Sequence, residues 1–527
     1  MKAIADADRH LAPSIPSPRA AARSPTTAAL IVAGVTFLVW LPCLWNDFVE
    51  WDDLAMIIAN PRFNPPTVRT VGWYWTHVAW NLYQPLTCTL WGVLAKVGWV
   101  NTADQFGGHL NPAVFHLAGV LLHVAAALAL LSILRRAVRD DIAAIAGTLV
   151  FALHPIQTEA VVFAGVLNNP LFTSLSFIAI DQYLRYTEPA DSQAYNTRRR
   201  RWHLILGSIA LVLAMISKPT AVAVPAIAFV LDLAINHRPW RAALGSIVPW
   251  LVLILPCIAW TKRFQHGAVA AGQAPVWFRP FIAGDAAAFY LWKIVYPLHL
   301  AIDYGRNPQY VFAHAWGYLT WLAPAALVVL AWRSRRRRPL LAAAIAIFFI
   351  ALLPNSGLLP FDFQSISTTA DRYVYLAMTG VALAVAAAVA ELRARHRRVV
   401  PFVIALPLLA WIVLAQFQLR TWRDGYSLYR HALALNPNSW LSLGNLAYIE
   451  ADPSPEQAIA DCRRAIQLNP SDAVAYNTLG SVLMQRGDHA AALDAFATAH
   501  QLEPDDALFA LNYQRAVDHG RGPSSAR

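Results

Sequence analysis

The chain has 527 residues, of which 57% are hydrophobic and only 14% charged, with a mean hydropathy of +0.41. That is too little charge to cover a soluble domain, so the composition excludes a water-soluble enzyme and describes a polytopic membrane protein. The net charge of +11 is no nucleic-acid footprint, because the Arg clusters fall between apolar runs, where a positive-inside bias places them. The 20 Trp fit a membrane–water interface. Cys43, Cys88, Cys257 and Cys462 show neither a disulfide framework nor metal-ligand spacing.

Residues 1–27 are polar and rich in Pro and Ala, and carry Lys2, Arg9, Arg19 and Arg23. They read as a disordered cytoplasmic N-terminus. The apolar run 28–45 ends in Trp45-Asn46-Asp47 rather than a small-residue cleavage site, so it reads as an uncleaved anchor. Directly at its exit comes Phe48-Val49-Glu50-Trp51-Asp52-Asp53, with Asn60 beyond. Adjacent carboxylates repel, so one of Glu50, Asp52 and Asp53 should titrate high unless something offsets the repulsion. The plain reading is a solvated loop cap; the polar residues beside later spans favour a functional one. The stretch 82–100 is interrupted by Gln84-Pro85 and Lys96 and is expected to lie along the surface or dip in and out.

Further spans are expected at 111–134, 142–153, 161–186, 204–217, 221–235, 243–260, 316–332, 340–353, 373–390 and 400–419, about eleven with the anchor. With the N-terminus inside, the clusters at Arg135-Arg136, Arg198–Arg201, Arg335–Arg338 and Arg393–Arg398 all face the cytoplasm. Counting 281–300 as a span would put Arg335–Arg338 on the wrong face, so it is left outside.

After residue 419 the composition changes. Pro437, Pro470 and Pro504 recur at about 34 residues, the period of tetratricopeptide helix pairs. In 473–506, Tyr476, Leu479, Gly480 and Leu483 fall on the first helix and Ala492, Phe496 and Ala499 on the second. Gly480 and Ala492 permit close approach and Phe496 fills the groove. The unit before it (Leu443, Leu446, Ala447; Ala458, Cys462, Ala465) matches with one residue deleted, and Tyr429, Ala432 and Pro437 make a preceding half-unit. The expected architecture is therefore all-α: a multi-span membrane domain at 28–419 with an external loop at 46–110, a short repeat solenoid at 420–510 outside the cytoplasm, and a disordered tail at 511–527.

Polar residues gather on the external face: Glu50, Asp52 and Asp53; Tyr83 and Gln84; His154 and Glu159; Lys218; Asp303; Asp371 and Arg372. Ionisable groups at membrane level are costly unless partnered or facing water, so their default reading is functional. Each also has a structural reading: His154-Pro155 as a span cap, Lys218 snorkelling, Asp371-Arg372 as a local ion pair. His116 and His123 read as packing or interhelical hydrogen-bond residues. Together, the carboxylates and cations suit a ligand with a phosphate and a hydroxyl to deprotonate.

The motifs Phe48–Asp53, Tyr83-Gln84-Pro85-Leu86-Thr87, His154-Pro155-Ile156-Gln157-Thr158-Glu159-Ala160, Ser217-Lys218-Pro219 and Asp371-Arg372-Tyr373-Val374-Tyr375-Leu376 occur in that order ahead of the repeats. In this the chain resembles bacterial relatives of the transmembrane-and-tetratricopeptide-repeat O-mannosyltransferases, which are GT-C glycosyltransferases. The resemblance covers about 37–506. It departs at Gln84, where these relatives usually carry Arg, and at Asn168-Asn169, where they usually carry a charged pair.

The resemblance implies a bacterial inner-membrane, inverting glycosyltransferase. It would move a sugar, mannose being the first candidate, from a polyprenyl-phosphate carrier to a hydroxyl of an extracytoplasmic protein acceptor held through the repeats. In that chemistry Asp52 is the candidate base, and Asp53 orients the acceptor or holds a divalent metal (Mn²⁺ or Mg²⁺), no cofactor being certain. Arg372 and Lys218 bind the carrier phosphate, His154 and Glu159 shape the cavity, and Tyr83 stacks on the sugar. Glu50, Gln84, Asp303 and Asp371 complete the expected substrate-binding set. The rival reading is a non-enzymatic scaffold or carrier-lipid transporter that recruits envelope proteins; a third keeps the enzyme but gives it a glycan or lipid acceptor.

Overall fold

A computed structural model describes residues 25–103, 108–189, 197–264, 274–504 and 506–520. The expected N-terminal segment up to residue 24 and the last tail residues, 521–527, lie outside them. Among the described residues the chain forms helices and no strand. Each expected span falls on a helix, and the 281–300 stretch contributes another, Arg279–Val295. Among the described residues, five helices are long and apolar enough to cross a membrane: Thr26–Trp45, Pro112–Val138, Trp240–Phe264, Ala315–Ser334 and Val400–Thr421. A sixth results if Asp141–Leu153 and Pro155–Val162, bent by 51° at His154, act as one span. This is a multi-pass membrane protein whose remaining helices are shorter or more polar.

Local chemistry sets these boundaries. Asn111 caps Pro112–Val138 by accepting from the Ala113 amide at 3.0 Å, and Pro112 occupies the first turn, where no N–H is needed. The helix stops at Arg139, which takes a left-handed conformation (φ 51°), and Asp140 immediately caps the next helix through the Ala143 amide. The expected span 161–186 is cut short at its start. The short helix Thr158–Val162 is followed by a tight turn at Ala164–Val166, and the long helix runs Asn168–Thr187. Gly165 and Asn168-Asn169-Pro170 interrupt the apolar run where the chain must turn past the external loop. His123 does join helices, with one ring nitrogen on Tyr375 Oη at 2.6 Å and the other on the Ala152 carbonyl at 2.9 Å.

Ion pairs tie the Arg-rich helix ends to one another: Arg136 to Asp181 at 3.2 Å, Arg393 to Asp140 at 3.0 Å, and Arg338 to Glu391 at 3.3 Å. The opposite ends carry the loop at 46–110, which has a small core of its own. Phe48, Ile57, Phe63, Tyr74 and Trp91 pack there against Phe115 and Leu167. Within that loop 82–100 becomes the helix Pro85–Val97, fastened by Thr87 Oγ1 to the Ser217 carbonyl at 2.8 Å.

The repeat module starts at this same end. Asn46 Nδ2 donates to the carbonyls of Leu419 (3.2 Å) and Trp422 (3.0 Å), and the Asp47 amide donates to Arg423 O (2.8 Å). Its helices are Gly425–Leu435, Trp440–Glu450, Pro455–Leu468, Ala473–Gln485, His489–Leu502 and Ala507–Gly520. A Cβ on Gly480 would stand 2.8 Å from the Phe496 ring, so the glycine admits the aromatic as the repeat pattern requires. The tail reading needs correction at 511–520. The last helix buries Phe509 and Ala516, and Asn512 Nδ2 bonds Asn477 Oδ1 at 2.9 Å. Phe509, Tyr513 and Ala516 lie at helical spacing and cover the end of the solenoid, whose apolar face would otherwise meet water.

The shared attachment at Asn46 and Asp47 predicts that the loop and the repeats lie on one side of the membrane. In a background lacking the four native cysteines, Val68→Cys and Ser454→Cys should react equally with a membrane-impermeant maleimide on intact cells. Opposite labelling would contradict the arrangement.

Candidate functional site

The site is built from the turn that follows the first helix. Trp51 has φ +141°, a conformation rare for a residue with a side chain, and it splays Glu50 and Asp52 to different surroundings. Asp53 is buried and fully employed: Oδ2 accepts from the Val49 amide at 3.1 Å and Oδ1 from the Gly165 amide at 2.5 Å. Glu50 is buried over Gly425 of the repeat module. Asp52 alone of the three is only half-buried.

Their titrations separate accordingly. Burial raises Asp52 to about 6, with nearby Arg372 pulling it down and Glu159 pushing it up. Burial, followed by the charges of Asp47 and Asp424, brings Glu50 to about 7. Burial carries Asp53 well above the usual carboxylate range despite its two amide bonds, and the Asp52 and Glu50 charges add to the rise. Asp52 is therefore the carboxylate of this trio that ionises first, and it has the open face.

Beside it, Arg372 forms a buried ion pair with Glu159, which also accepts from the Arg372 amide at 3.0 Å. The guanidinium lies over the rings of Phe363 (4.4 Å), Tyr373 (5.0 Å) and Trp51 (5.8 Å). Those aromatics exclude water from the pair and hold its orientation.

Lys218 sits in the turn before Pro219 with its ammonium near the Phe172 and Tyr373 rings. It donates to Asn169 Oδ1 at 2.6 Å; Asn169 Nδ2 donates to Asn168 Oδ1 at 3.1 Å, and Asn168 Nδ2 to Gln84 Oε1 at 3.0 Å. Gln84, Asn168 and Asn169 thus form one connected, neutral hydrogen-bond chain ending on the lysine. No carboxylate within ion-pair distance offsets the Lys218 charge among the described residues. Burial, then Arg372, lowers Lys218 to about 7, with Glu159 opposing.

The other expected site residues lie at the margins. His154 Nε2 bonds the Ile294 carbonyl at 2.9 Å and Nδ1 accepts from the Ile156 amide at 3.2 Å, so it caps a bend in the helix. Asp371 accepts from Tyr304 Oη at 2.8 Å. Asp303 is turned to the repeat module, where Ser439 Oγ (2.6 Å) and Asn436 Nδ2 (3.3 Å) donate to it. Tyr83 donates to the Trp75 carbonyl at 3.0 Å and its ring lies 5.4 Å from Trp260. Gly165, Phe363 and Tyr373 escaped the sequence reading as site residues; the break of the apolar run at Gly165 was the available signal. Each oxygen of Asp53, the candidate metal ligand, accepts from an amide, and no three His, Cys, Asp or Glu converge among the described residues.

Two substitutions test this packing. A Cβ on Gly165 would stand 2.7 Å from Asp52 Cβ and 3.1 Å from Asp53 Oδ1, so Gly165→Ala should displace the carboxylate turn and weaken function with little change in abundance. Arg372→Ala leaves Glu159 buried without its partner, and thermal or denaturant unfolding should report a loss of about 3–5 kcal/mol.

The tetratricopeptide repeat family model matches residues 473–506. Human protein O-mannosyl-transferase TMTC1 is 24% identical over 525 residues, covering 87% of this chain and 57% of that protein. Human protein O-mannosyl-transferase TMTC2 is 30% identical over 226 residues, 40% of this chain and 24% of that protein. Drosophila melanogaster protein O-mannosyl-transferase Tmtc3 is 23% identical over 475 residues, 75% and 50% respectively. The chain spans between 24% and 57% of the length of these curated relatives. Over most of its own length it is similar to proteins named as protein O-mannosyl-transferases.

Proposed function

We propose that the chain is an integral-membrane glycosyltransferase that moves a sugar, mannose by analogy with its relatives, from a polyprenyl-phosphate carrier to a hydroxyl of a protein acceptor outside the cytoplasm. The observation that carries this reading is that a partly exposed Asp52 and Lys218, a cation whose hydrogen-bond partner is neutral, both lie within electrostatic reach of the Arg372–Glu159 pair. Similarity to protein O-mannosyl-transferases supports the reaction class.

In this mechanism the acceptor oxygen attacks the anomeric carbon as the bond from that carbon to the carrier phosphate breaks. The hydroxyl proton passes to the Asp52 carboxylate, and the electron pair of the broken bond leaves on the phosphate. Asp52, at about 6, is ionised at neutral pH yet basic enough to share a proton in the transition state. Lys218 meets the departing phosphate, and Arg372, whose charge is partly committed to Glu159, adds to the field. Asp53 holds the turn through Val49 and Gly165 so that Asp52 keeps its aim.

Purified protein in nanodiscs, supplied with a panel of radiolabelled polyprenyl-phosphate sugars and a protein acceptor, should transfer one of them. Asp52→Asn should reduce transfer by at least about 10²-fold at unchanged abundance. A silent Asp52→Asn, with the phenotype lost only on removing the repeats, would replace the enzyme by a scaffold.

The pH profile gives a second check. Asp52 must be deprotonated, so activity falls as pH drops through about 6. Lys218 must be protonated to meet the phosphate, so donor binding weakens as pH rises through about 7. The expected profile is a narrow bell between those values. Lys218→Met should raise the donor KM by roughly tenfold or more, the worth of a charge-assisted bond, and remove the alkaline limb.

A further inference from the structure

Two buried polar atoms at the junction of loop and repeats have no hydrogen-bond partner: Glu50 Oε2 and the Tyr429 hydroxyl. Glu50 is 7% exposed and Tyr429 is 0% exposed, so neither is solvated by bulk water. Orphaned buried groups of this kind are uncommon, and finding an acceptor and a donor at one junction is not expected from packing alone.

Their geometry relates them. Glu50 Oε2 lies so close over Gly425 that a Cβ there would stand 1.6 Å from it. Gly425 opens the helix Gly425–Leu435, and Tyr429 follows four residues on, one turn along the same face. The face that receives Glu50 therefore also carries the tyrosine. The carboxylates of Glu50, Asp52 and Asp53 are near enough for their charges to raise the Tyr429 hydroxyl, after burial, well above its ordinary value. The same junction is clamped on its membrane side by Asn46 to Leu419 and Trp422, and by the Asp47 amide to Arg423.

We propose that Glu50 and Tyr429 are a coupled positioning pair through which the first repeat helix holds the Asp52 turn, making the repeat module a wall of the reaction site as well as a surface for acceptors. The hydroxyl donates to the carboxylate through one trapped water, and this link sets the backbone of Trp51 between them and Asp52. Neither residue touches the reacting atoms. The role in transfer rests on the glycosyltransferase reading; the link between the two side chains does not.

The experiment is a double-mutant cycle in the full-length protein in nanodiscs, using Tyr429→Phe and Glu50→Gln, read by thermal unfolding and by sugar transfer from the carrier that wild type uses. Tyr429→Phe keeps the ring and removes an atom that, as a mere orphan, would be neutral or unfavourable to keep. On the proposal, the two substitutions are non-additive in unfolding. Each lowers kcat by about tenfold, the scale of one hydrogen bond to a charged group, with the donor KM unchanged. Gly425→Ala, which displaces Glu50 without altering either partner, lowers kcat in the same way. Additive effects on unfolding would overturn the link, whatever the reaction. Coupled unfolding with full transfer by Tyr429→Phe would overturn the positioning role. Coupled unfolding with no transfer by wild type from any carrier would leave the link standing and overturn both the glycosyltransferase reading and the positioning role assigned within it.

Discussion

The buried pair of Arg372 and Glu159 is the constraint around which the rest of the site is arranged. A lone charge at that depth would cost several kcal/mol, so the two must stay together. Glu159 accepts from the Arg372 amide as well as its side chain, which fixes the turn at Asp371–Tyr373 against the helix Thr158–Val162. The next turn of chain, at Gly165, is thereby placed to receive Asp53. Phe363, Tyr373 and Trp51 close over the guanidinium, and Trp51 belongs to the carboxylate turn itself.

Charge is distributed with economy. Of the three neighbouring carboxylates, Asp53 is raised by burial and held by amides, Glu50 is shut against the repeats, and Asp52 is partly exposed. On the cationic side, Arg372 is committed to Glu159, and Lys218 rests on a chain of amides that contributes no charge. Gln84, Asn168 and Asn169, far apart in sequence, are joined end to end in the fold, so three neutral side chains satisfy one another beside the lysine.

The repeat module is attached at the carboxylate turn itself. Asn46 and Asp47 bind the segment that leads into the repeats, Asp303 is drawn to Ser439 and Asn436, and Glu50 lies against the first repeat helix.

Much of this was legible in the residues alone. The apolar runs, the Arg clusters between them and the 34-residue period specify an all-α membrane protein with a repeat solenoid, because burial of apolar surface and the 3.6-residue helix leave few alternatives. The motif order also brought Asp52, Glu159, Lys218 and Arg372 under suspicion before their proximity was known. What the tertiary structure decided was the division of labour among equal-looking side chains. Asp52 and Asp53 are adjacent in sequence and identical in chemistry; one is open and the other bound to Gly165, over a hundred residues away. Asp371-Arg372 read as a local ion pair, yet Arg372 pairs with Glu159, while Asp303 fastens the repeats. The last helix, Ala507–Gly520, also belongs here, because Phe509 and Ala516 are buried only by the neighbouring repeat that they cover. Side-chain type and period follow from local sequence, whereas desolvation and hydrogen-bond partners depend on which distant segments arrive at the same place.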